Sequence, residues 1–381
     1  MYPALAVLKA LTLNDRARTE SDAEFNGDRE GQAAPVPHPL EVLWVGGIGG
    51  MEVDLVRREG VPFEAIPAAG VHGVGWRALP RNLWQILHGV YFARQIIRRF
   101  QPEVFFFTGG FVAVPLALAG RLPGLGIPRP ASLLYVPDIE PGLALKTLAH
   151  FSDRIALTAE ESMRYFSSKV ERIITGYPTR HNLKSWELDQ ARQTLGISGE
   201  FPVLLVMGGS KGARSINRAL LAVLPTLLAE MEIVHISGHL DWQEVDARRA
   251  ELALELRSHY HAYPYLHAEI GAALLVADLV VSRAGASILG EYPLFGVPAI
   301  VVPYPHAWRY QVVNARYLEA RGAAVVLQDE ALHSELAPAI LDLLRDSTRR
   351  EKMRLAMRSL SHPEATAIIG NLLWDLAAQR G

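Results

Sequence analysis

The 381-residue chain has no cysteine. That excludes disulfides and thiolate metal sites and fits a reducing compartment. It also has little net charge, formally -2, so nothing pulls the whole molecule towards nucleic acid, and any basic surface must be local. Long apolar runs are missing too. Stretches such as Gly109 to Gly120 fall well short of the ~20 residues that a spanning helix needs. The apolar start, Met1 to Leu13, has no charged leader, carries Lys9 within it and runs into polar sequence, which argues against a signal peptide. The expectation is a soluble chain that at most rests on a membrane surface. Residues 12–40 hold hardly any large apolar side chain and are rich in Asp, Glu, Ala, Gly and Pro. Such a composition buries too little surface to order itself, so a disordered loop inserted after the first helix is expected there.

Half of the residues are hydrophobic, ample for two domains of ordinary size. Along both halves an apolar strand runs into glycines and then a helix. Val42 to Val45 leads into Gly46-Gly-Ile-Gly-Gly50 and Glu52, and Val104 to Phe107 leads into Thr108-Gly-Gly-Phe111. Gly109 and Gly110 leave backbone amides at a helix start, where a pyrophosphate could sit. Packing is the competing reason for glycine at each of these turns. Leu133 to Val136 exits through Pro137-Asp138-Ile-Glu140. This pair of carboxylates lacks the strict Asp-x-Asp order and reads as proline-flanked turn residues, so no metal is assigned. In the second half, strand Val203 to Met207 meets Gly208-Gly-Ser-Lys-Gly-Ala213 and a helix from Arg214. It is not a Walker loop, because Lys211 precedes the final glycine.

The stretch from Ala277 to Ala315 organises the rest. A buried-strand pattern, Leu279 to Val281, is followed by Arg283-Ala-Gly-Ala286 and a helix starting at Ser287. Small residues between strand and helix let a ligand approach the backbone, with the unpaired amides of the helix N-terminus pointing at it. Glu291, about one turn further on, is suited to accept hydrogen bonds from a ribose diol. A second strand, Ala299 to Val302, is closed by Pro303 and Pro305, then Gln311 and Asn314.

Arg77 to Phe100 contains five arginines and no acid, with Leu83, Ile86, Leu87, Val90, Ile97, Trp84, Tyr91 and Phe92 forming a broad apolar face. An ordinary core-facing helix with a solvated arginine side explains this pattern. A basic amphipathic surface that touches anionic lipid explains it as well.

The long stretch resembles the donor-nucleotide signature of the MurG glycosyltransferases. The residues that carry the likeness are Ala277-Asp278, Arg283-Ala-Gly-Ala286, Glu291, Gly296-Val-Pro298, Pro303, Pro305-His306, Gln311, Asn314-Ala315 and Gly322-Ala-Ala324. The loops at Gly208, at Ile173 to Arg180 and at Tyr263 to Ile270 also resemble that family. The resemblance implies a GT-B fold, two doubly wound α/β domains facing across a cleft. The N-terminal acceptor and membrane-facing domain would span 1–181 and the UDP-sugar domain 182–360, with a final helix in 361–381 packing back on the first. It implies inverting transfer of N-acetylglucosamine from UDP-GlcNAc to the muramyl 4-hydroxyl of lipid I, giving lipid II. No cofactor, no metal and no nucleic acid would be involved, and the enzyme would sit peripherally on the cytoplasmic side of the plasma membrane.

The same resemblance assigns roles. Arg180, Gly209 and Ser210 would hold the pyrophosphate, and Leu266 and His267 the uracil. Arg283, Gly285, Ala286, Ser287, Ile288, Leu289 and Gly290 would hold the nucleotide, Glu291 the ribose and Gln311 the sugar hydroxyls. Gly109, Gly110 and Asp138 would face the acceptor. The chain departs from the family pattern in three places. Tyr135-Val-Pro-Asp138 stands where His-Glu-Gln-Asn is usual, and Lys211 stands where Gln is usual. The family's first strand and Gly-Gly-Thr-Gly-Gly-His loop would lie upstream of Met1, as if the start were misplaced or the chain truncated. The family's candidate base is the histidine of that loop, so no catalytic residue is named; His267 is the other histidine considered. Two other readings stay open: a GT-B transferase using diacylglycerol or another polyprenyl lipid, and an inactive UDP-sugar-binding protein.

Overall fold

The computed structural model describes residues 2–25, 40–50, 52–68, 79–124, 126, 128–209, 212–305 and 309–379, with side chains 14–25 and 79–83 outside the description. The chain forms two compact units. One comprises 1–137, 141–178 and 364–381; the other comprises 138–140 and 179–363.

In the first unit, strands β1 (Trp44–Gly47) and β2 (Phe63–Ile66) pair in parallel. A separate parallel sheet runs β3 (Val104–Phe107), β4 (Ala131–Val136), β5 (Arg154–Leu157), β6 (Glu171–Ile174). Strand β4 is buried along its whole length, because helices cover both faces of a parallel sheet. Helix Ala365–Ala378 packs on β3 and β4 and against helix Tyr2–Phe25. Strands β1 and β3 do not bond to each other. A cavity of about 640 Å3 lies between them, roofed by Val7, Leu11 and Leu373.

Helix Tyr2–Phe25 corrects one expectation: the backbone stays helical through the first part of the segment read as disordered. The reason is local. Thr12 to Phe25 contains no Gly or Pro, the two residues that interrupt a helix interior most strongly. The Thr12 hydroxyl donates back to Leu8 O at 2.7 Å, inside the same helix. The remainder of that expectation, residues 26–39, lies outside the described residues.

The second unit holds a six-stranded parallel sheet in the order β12 (Ala324–Val326), β11 (Ala299–Val301), β10 (Leu279–Ser282), β7 (Val203–Met207), β8 (Glu232–Ile236), β9 (Tyr260–Tyr263). From β7 the chain winds one way, through β8 to β9; from β10 it winds the other way, through β11 to β12. Val281 of β10 sits between Val206 and Ile300, so the direction of winding reverses in the centre of the sheet. Loops leaving β7 and β10 therefore diverge and open a crevice at their carboxyl ends, the place where doubly wound sheets bind ligands.

Candidate functional site

The crevice is walled by two helix starts. After β7, Gly208 and Gly209 lead to helix Arg214–Leu228, and after β10, Arg283 to Ser287 lead to helix Ile288–Phe295. Neither helix has a side-chain cap on its first amides. After β10 the amides of Ile288, Leu289 and Gly290 already donate to Gly285 O, Ala286 O and Ser287 O at 3.2, 3.1 and 3.1 Å, so there the positive end of the helix dipole, rather than these amides, favours an anion. Gly209 has φ +78 with open space where a Cβ would point, and Gly212 has φ +77 with Ser237 O only 2.5 Å from its Cβ position. Gly212 is thus required by contact and conformation, and Gly209 by conformation alone. Ser210 and Lys211, assigned from sequence to the pyrophosphate end, lie outside the described residues, as does His306.

The helix after the glycine loop is fixed by a buried polar network that sequence reasoning missed. Asn217 Nδ2 donates to Ser237 O at 2.8 Å and to Asp241 at 2.9 Å. His235 lies between Asn217 Oδ1 (3.0 Å) and the Tyr260 hydroxyl (2.6 Å). Burial pushes the His235 pKa down to about 3, so the ring is neutral and serves as a hydrogen-bonding strut.

Glu291 and Arg180 come together although 111 positions of sequence separate their numbers, with Arg180 Nη2 3.9 Å from Glu291 Oε1. Burial raises the proton affinity of Glu291, while Arg180 and the Ser287 hydroxyl act against that shift. Arg180 Nη1 also donates to His267 O at 3.4 Å. The loop from Tyr263 to Glu269 is pinned a second time by Trp186 Nε1, which donates to Ala268 O at 3.1 Å. Leu266 turns inward, and His267 is exposed with its ring edge-on to Tyr265. Arg180, Leu266, His267, Ser287 and Glu291 thus form one corner.

The Arg283 side chain makes its contacts within the protein. Its Nη1 bonds Asp329 Oδ1 and reaches Val302 O (3.3 Å) and Pro303 O (3.4 Å), and its Nη2 donates to Ser215 Oγ at 2.6 Å. Ser215 in turn donates to Asp329 at 2.7 Å. The guanidinium is a brace that joins the two helix starts and the exit of β11, and it leaves the main chain of Ala284 to Ser287 to meet a ligand. Ser215 and Asp329 carried no sequence signal, because neither sits in a motif and each acquires its role only through Arg283.

Helix Tyr310–Glu319 carries Gln311, whose Oε1 accepts from Tyr304 N at 2.9 Å. Asn314, one turn on, is fully buried and holds three groups. Its Oδ1 accepts from Ile139 N (3.1 Å), and its Nδ2 donates to Asp138 Oδ1 (2.8 Å) and to Ala284 O (3.2 Å). Asp138, expected on the acceptor side, therefore lies beside the loop after β10. Burial raises its pKa and the Asn314 hydrogen bond works against it. Glu140 pairs with Arg309 at 2.9 Å. Among the described residues no group of three or more His, Cys, Asp or Glu is placed to hold a metal.

In the first unit, Gly109 and Gly110 take φ +105 and +88 just before helix Ala113–Arg121. Glu52 accepts from Gly47 N at 3.1 Å, which closes the turn after β1. Tyr135 is a core residue: its ring is buried and its hydroxyl pairs with Thr158 at 2.8 Å. On helix Leu79–Phe100 the core side is Gly89, Ala93, Ile96 and Ile97, so Trp84, Leu87, Tyr91 and Phe92 face outward, each 41–59% exposed. Three of its arginines are engaged at the far end. Arg94 and Arg98 donate to Pro123 O and Gly124 O, and Arg99 pairs with Glu64.

Comparisons with known proteins agree with this geometry. The glycosyltransferase family 28 C-terminal domain matches residues 203–367, and the family 28 N-terminal domain matches residues 38–130. A Roseiflexus sp. (strain RS-1) protein named UDP-N-acetylglucosamine--N-acetylmuramyl-(pentapeptide) pyrophosphoryl-undecaprenol N-acetylglucosamine transferase is 37% identical over 422 residues, covering 100% of this chain and 93% of its own. A Desulforudis audaxviator protein of the same name is 35% identical over 353 residues, covering 90% of this chain and 92% of its own. The crystal structure of Acinetobacter baumannii MurG aligns with a TM-score of 0.69 at 22% identity, covering 98% of this chain and 95% of that one. A UDP-GlcNAc 2-epimerase from Neisseria meningitidis, bound to UDP-GlcNAc, aligns with a TM-score of 0.57 at 13% identity, covering 88% of this chain and 100% of that one. At such identities the structural likeness speaks for the fold, which is GT-B. The full-length sequence relationship and the two matched domains go further: the chain belongs to the MurG family of glycosyltransferases.

Proposed function

We propose that the chain transfers N-acetylglucosamine from UDP-GlcNAc to the 4-hydroxyl of the muramyl sugar of lipid I, with inversion at the anomeric carbon, to give lipid II. The observation that carries this reading is the pairing of a switch-point crevice, with two uncapped helix starts, with the Glu291 and Arg180 corner. Its support from sequence is the activity named for relatives that match over 100% and 90% of the chain. The amides after Gly208 and after Arg283, with Arg180, stabilise the charge that develops on the departing UDP. Glu291 accepts from the ribose diol, the Leu266 to Ala268 loop receives the uracil edge, and Gln311 reads the sugar hydroxyls. None of these roles calls for a metal ion or a cofactor.

The acceptor carries a polyprenyl chain, so the enzyme works at a membrane surface. The outward stripe of Trp84, Leu87, Tyr91 and Phe92 is suited to the interfacial region, where aromatic side chains place an apolar body in lipid and a polar edge in water. No helix among the described residues is long and apolar enough to cross a membrane. The deciding assay follows UDP release with UDP-GlcNAc and either lipid I or diacylglycerol. Turnover with lipid I is the expected result, and turnover with diacylglycerol alone rejects the muramyl assignment.

A further inference from the structure

Asparagine is a poor helix former, yet Asn314 sits fully buried in the middle of helix Tyr310–Glu319. A buried amide has to be matched to its surroundings atom by atom. The Ile139 N–H can only donate, so the atom that meets it at 3.1 Å is Oδ1. Nδ2 then has two protons to place. Asp138 Oδ1 takes one at 2.8 Å and Ala284 O takes the other at 3.2 Å. All of these groups belong to the second unit. We propose that Asn314 is a positioning residue for the donor: by holding Ala284 O it aims the next amide, the Gly285 N–H, at the diphosphate. This rests on the transferase reading above.

The reach from Asn314 to the ligand runs through one peptide plane. Ala284 O and Gly285 N belong to the same peptide unit, which is trans and planar, so its C=O and N–H point to opposite sides. Fixing the carbonyl on Asn314 therefore turns the Gly285 N–H away from the buried amide. Beyond Ala284 the chain opens. Ala284 is fully buried, whereas Gly285, Ala286 and Ser287 are half-buried, and no atom lies within 4 Å of where a Gly285 Cβ would stand. The amides of Ile288, Leu289 and Gly290 are already used inside the turn, while among the described residues no hydrogen bond uses the Gly285 N–H. It is a donor left for the ligand. An amide stabilises charge on a leaving phosphate best when its direction is set before the ligand arrives. Without the hold on Ala284 O the loop would have to order itself on binding, and affinity would fall.

The test exchanges two partners of the network. In Asn314→Asp combined with Asp138→Asn, the new carboxylate accepts from Ile139 N and from the new amide at 138, so charge and packing are kept while Ala284 O loses its donor. Asp138→Asn alone keeps that donor, because its side-chain oxygen still accepts from Asn314. At pH 8, which keeps the new carboxylate ionised, the two variants should melt at similar temperatures. By calorimetry the exchange variant should bind UDP about 10-fold to 100-fold more weakly than wild type, the contribution of one hydrogen bond to a charged acceptor. Asp138→Asn should bind UDP as wild type does; an equal loss there assigns the effect to position 138 and rejects the proposal. Uridine, which has no diphosphate, should bind all three proteins alike, a pattern that general loosening of the fold would not give. UDP bound by the exchange variant within about threefold of wild type, or uridine weakened as much as UDP, overturns the positioning role while the transferase reading stands. If wild type binds neither UDP nor UDP-GlcNAc, both readings fall together. Should the exchange variant fail to fold, Asn314→Ala is judged by the same ratio: a loss confined to UDP supports the role, and an equal loss for uridine rejects it.

Discussion

Glu291→Gln separates what the folded protein tolerates from what the donor requires. The substitution keeps the volume and removes one charge. In the free protein that charge sits in a side chain only 12% exposed, 3.9 Å from Arg180. Burial dominates over Arg180 and Ser287, so the carboxyl's pKa lies above its ordinary 4.5. A carboxyl whose pKa is raised by folding contributes stability below its unfolded pKa and loses it as pH rises through the folded value. At pH 7 the fold therefore gains less from this carboxyl than it does in acid, and Glu291→Gln, which has no such proton to lose, should melt at a higher temperature than wild type. Donor binding should respond in the opposite direction. A carboxylate accepts from both ribose hydroxyls, whereas the amide offers one oxygen. A hydrogen bond to a charged acceptor contributes about 1.5–3 kcal/mol, and about 1.4 kcal/mol is tenfold in affinity. The loss of one such bond predicts roughly 10-fold to 100-fold weaker UDP-GlcNAc binding. Melting curves at pH 7 with and without donor, together with a titration by calorimetry, measure both effects. An unchanged donor Kd would refute the ribose role, and a lower melting temperature at pH 7 would refute the burial argument.

Arg283→Met removes the brace and leaves Asp329, Ser215 and two carbonyls without their donor. A loss of roughly 2–3 kcal/mol in unfolding free energy is expected by denaturant titration, with weaker donor binding, because charge-assisted hydrogen bonds in a half-buried setting are of that order. His235, with its pKa pushed down to about 3, must bind a proton on unfolding at pH below 6.5, so stability should fall as pH drops from 6.5 towards 3. Denaturant midpoints across that range should show the slope, and His235→Gln should flatten it. Trp84→Ser combined with Tyr91→Ser should leave the melting temperature nearly unchanged, both side chains being 59% exposed, yet weaken sedimentation with anionic vesicles several-fold. Equal vesicle binding by the double variant would remove that stripe from the membrane contact.

The sequence by itself determined what depends on local chemistry. Strands β7 and β10 are legible as short apolar runs, the glycines after β7 mark places where a side chain would collide or the backbone must turn left, and the spacing of Ser287 to Glu291 follows from the pitch of one helix turn. It also set the helical backbone of Thr12 to Phe25, where low apolar content suggested disorder although no residue there breaks a helix. Only the tertiary structure decided which side chains are tied into the scaffold. Arg283 belongs to a nucleotide motif, yet it points at Asp329 and Ser215, and the aromatic side of helix Leu79–Phe100 faces outward while its small residues face the core. Asn314 meets Asp138 across 176 positions of chain. Such pairings arise from the order in which parallel strands lie beside one another. That order is set by packing of the whole sheet, and no window of sequence contains it.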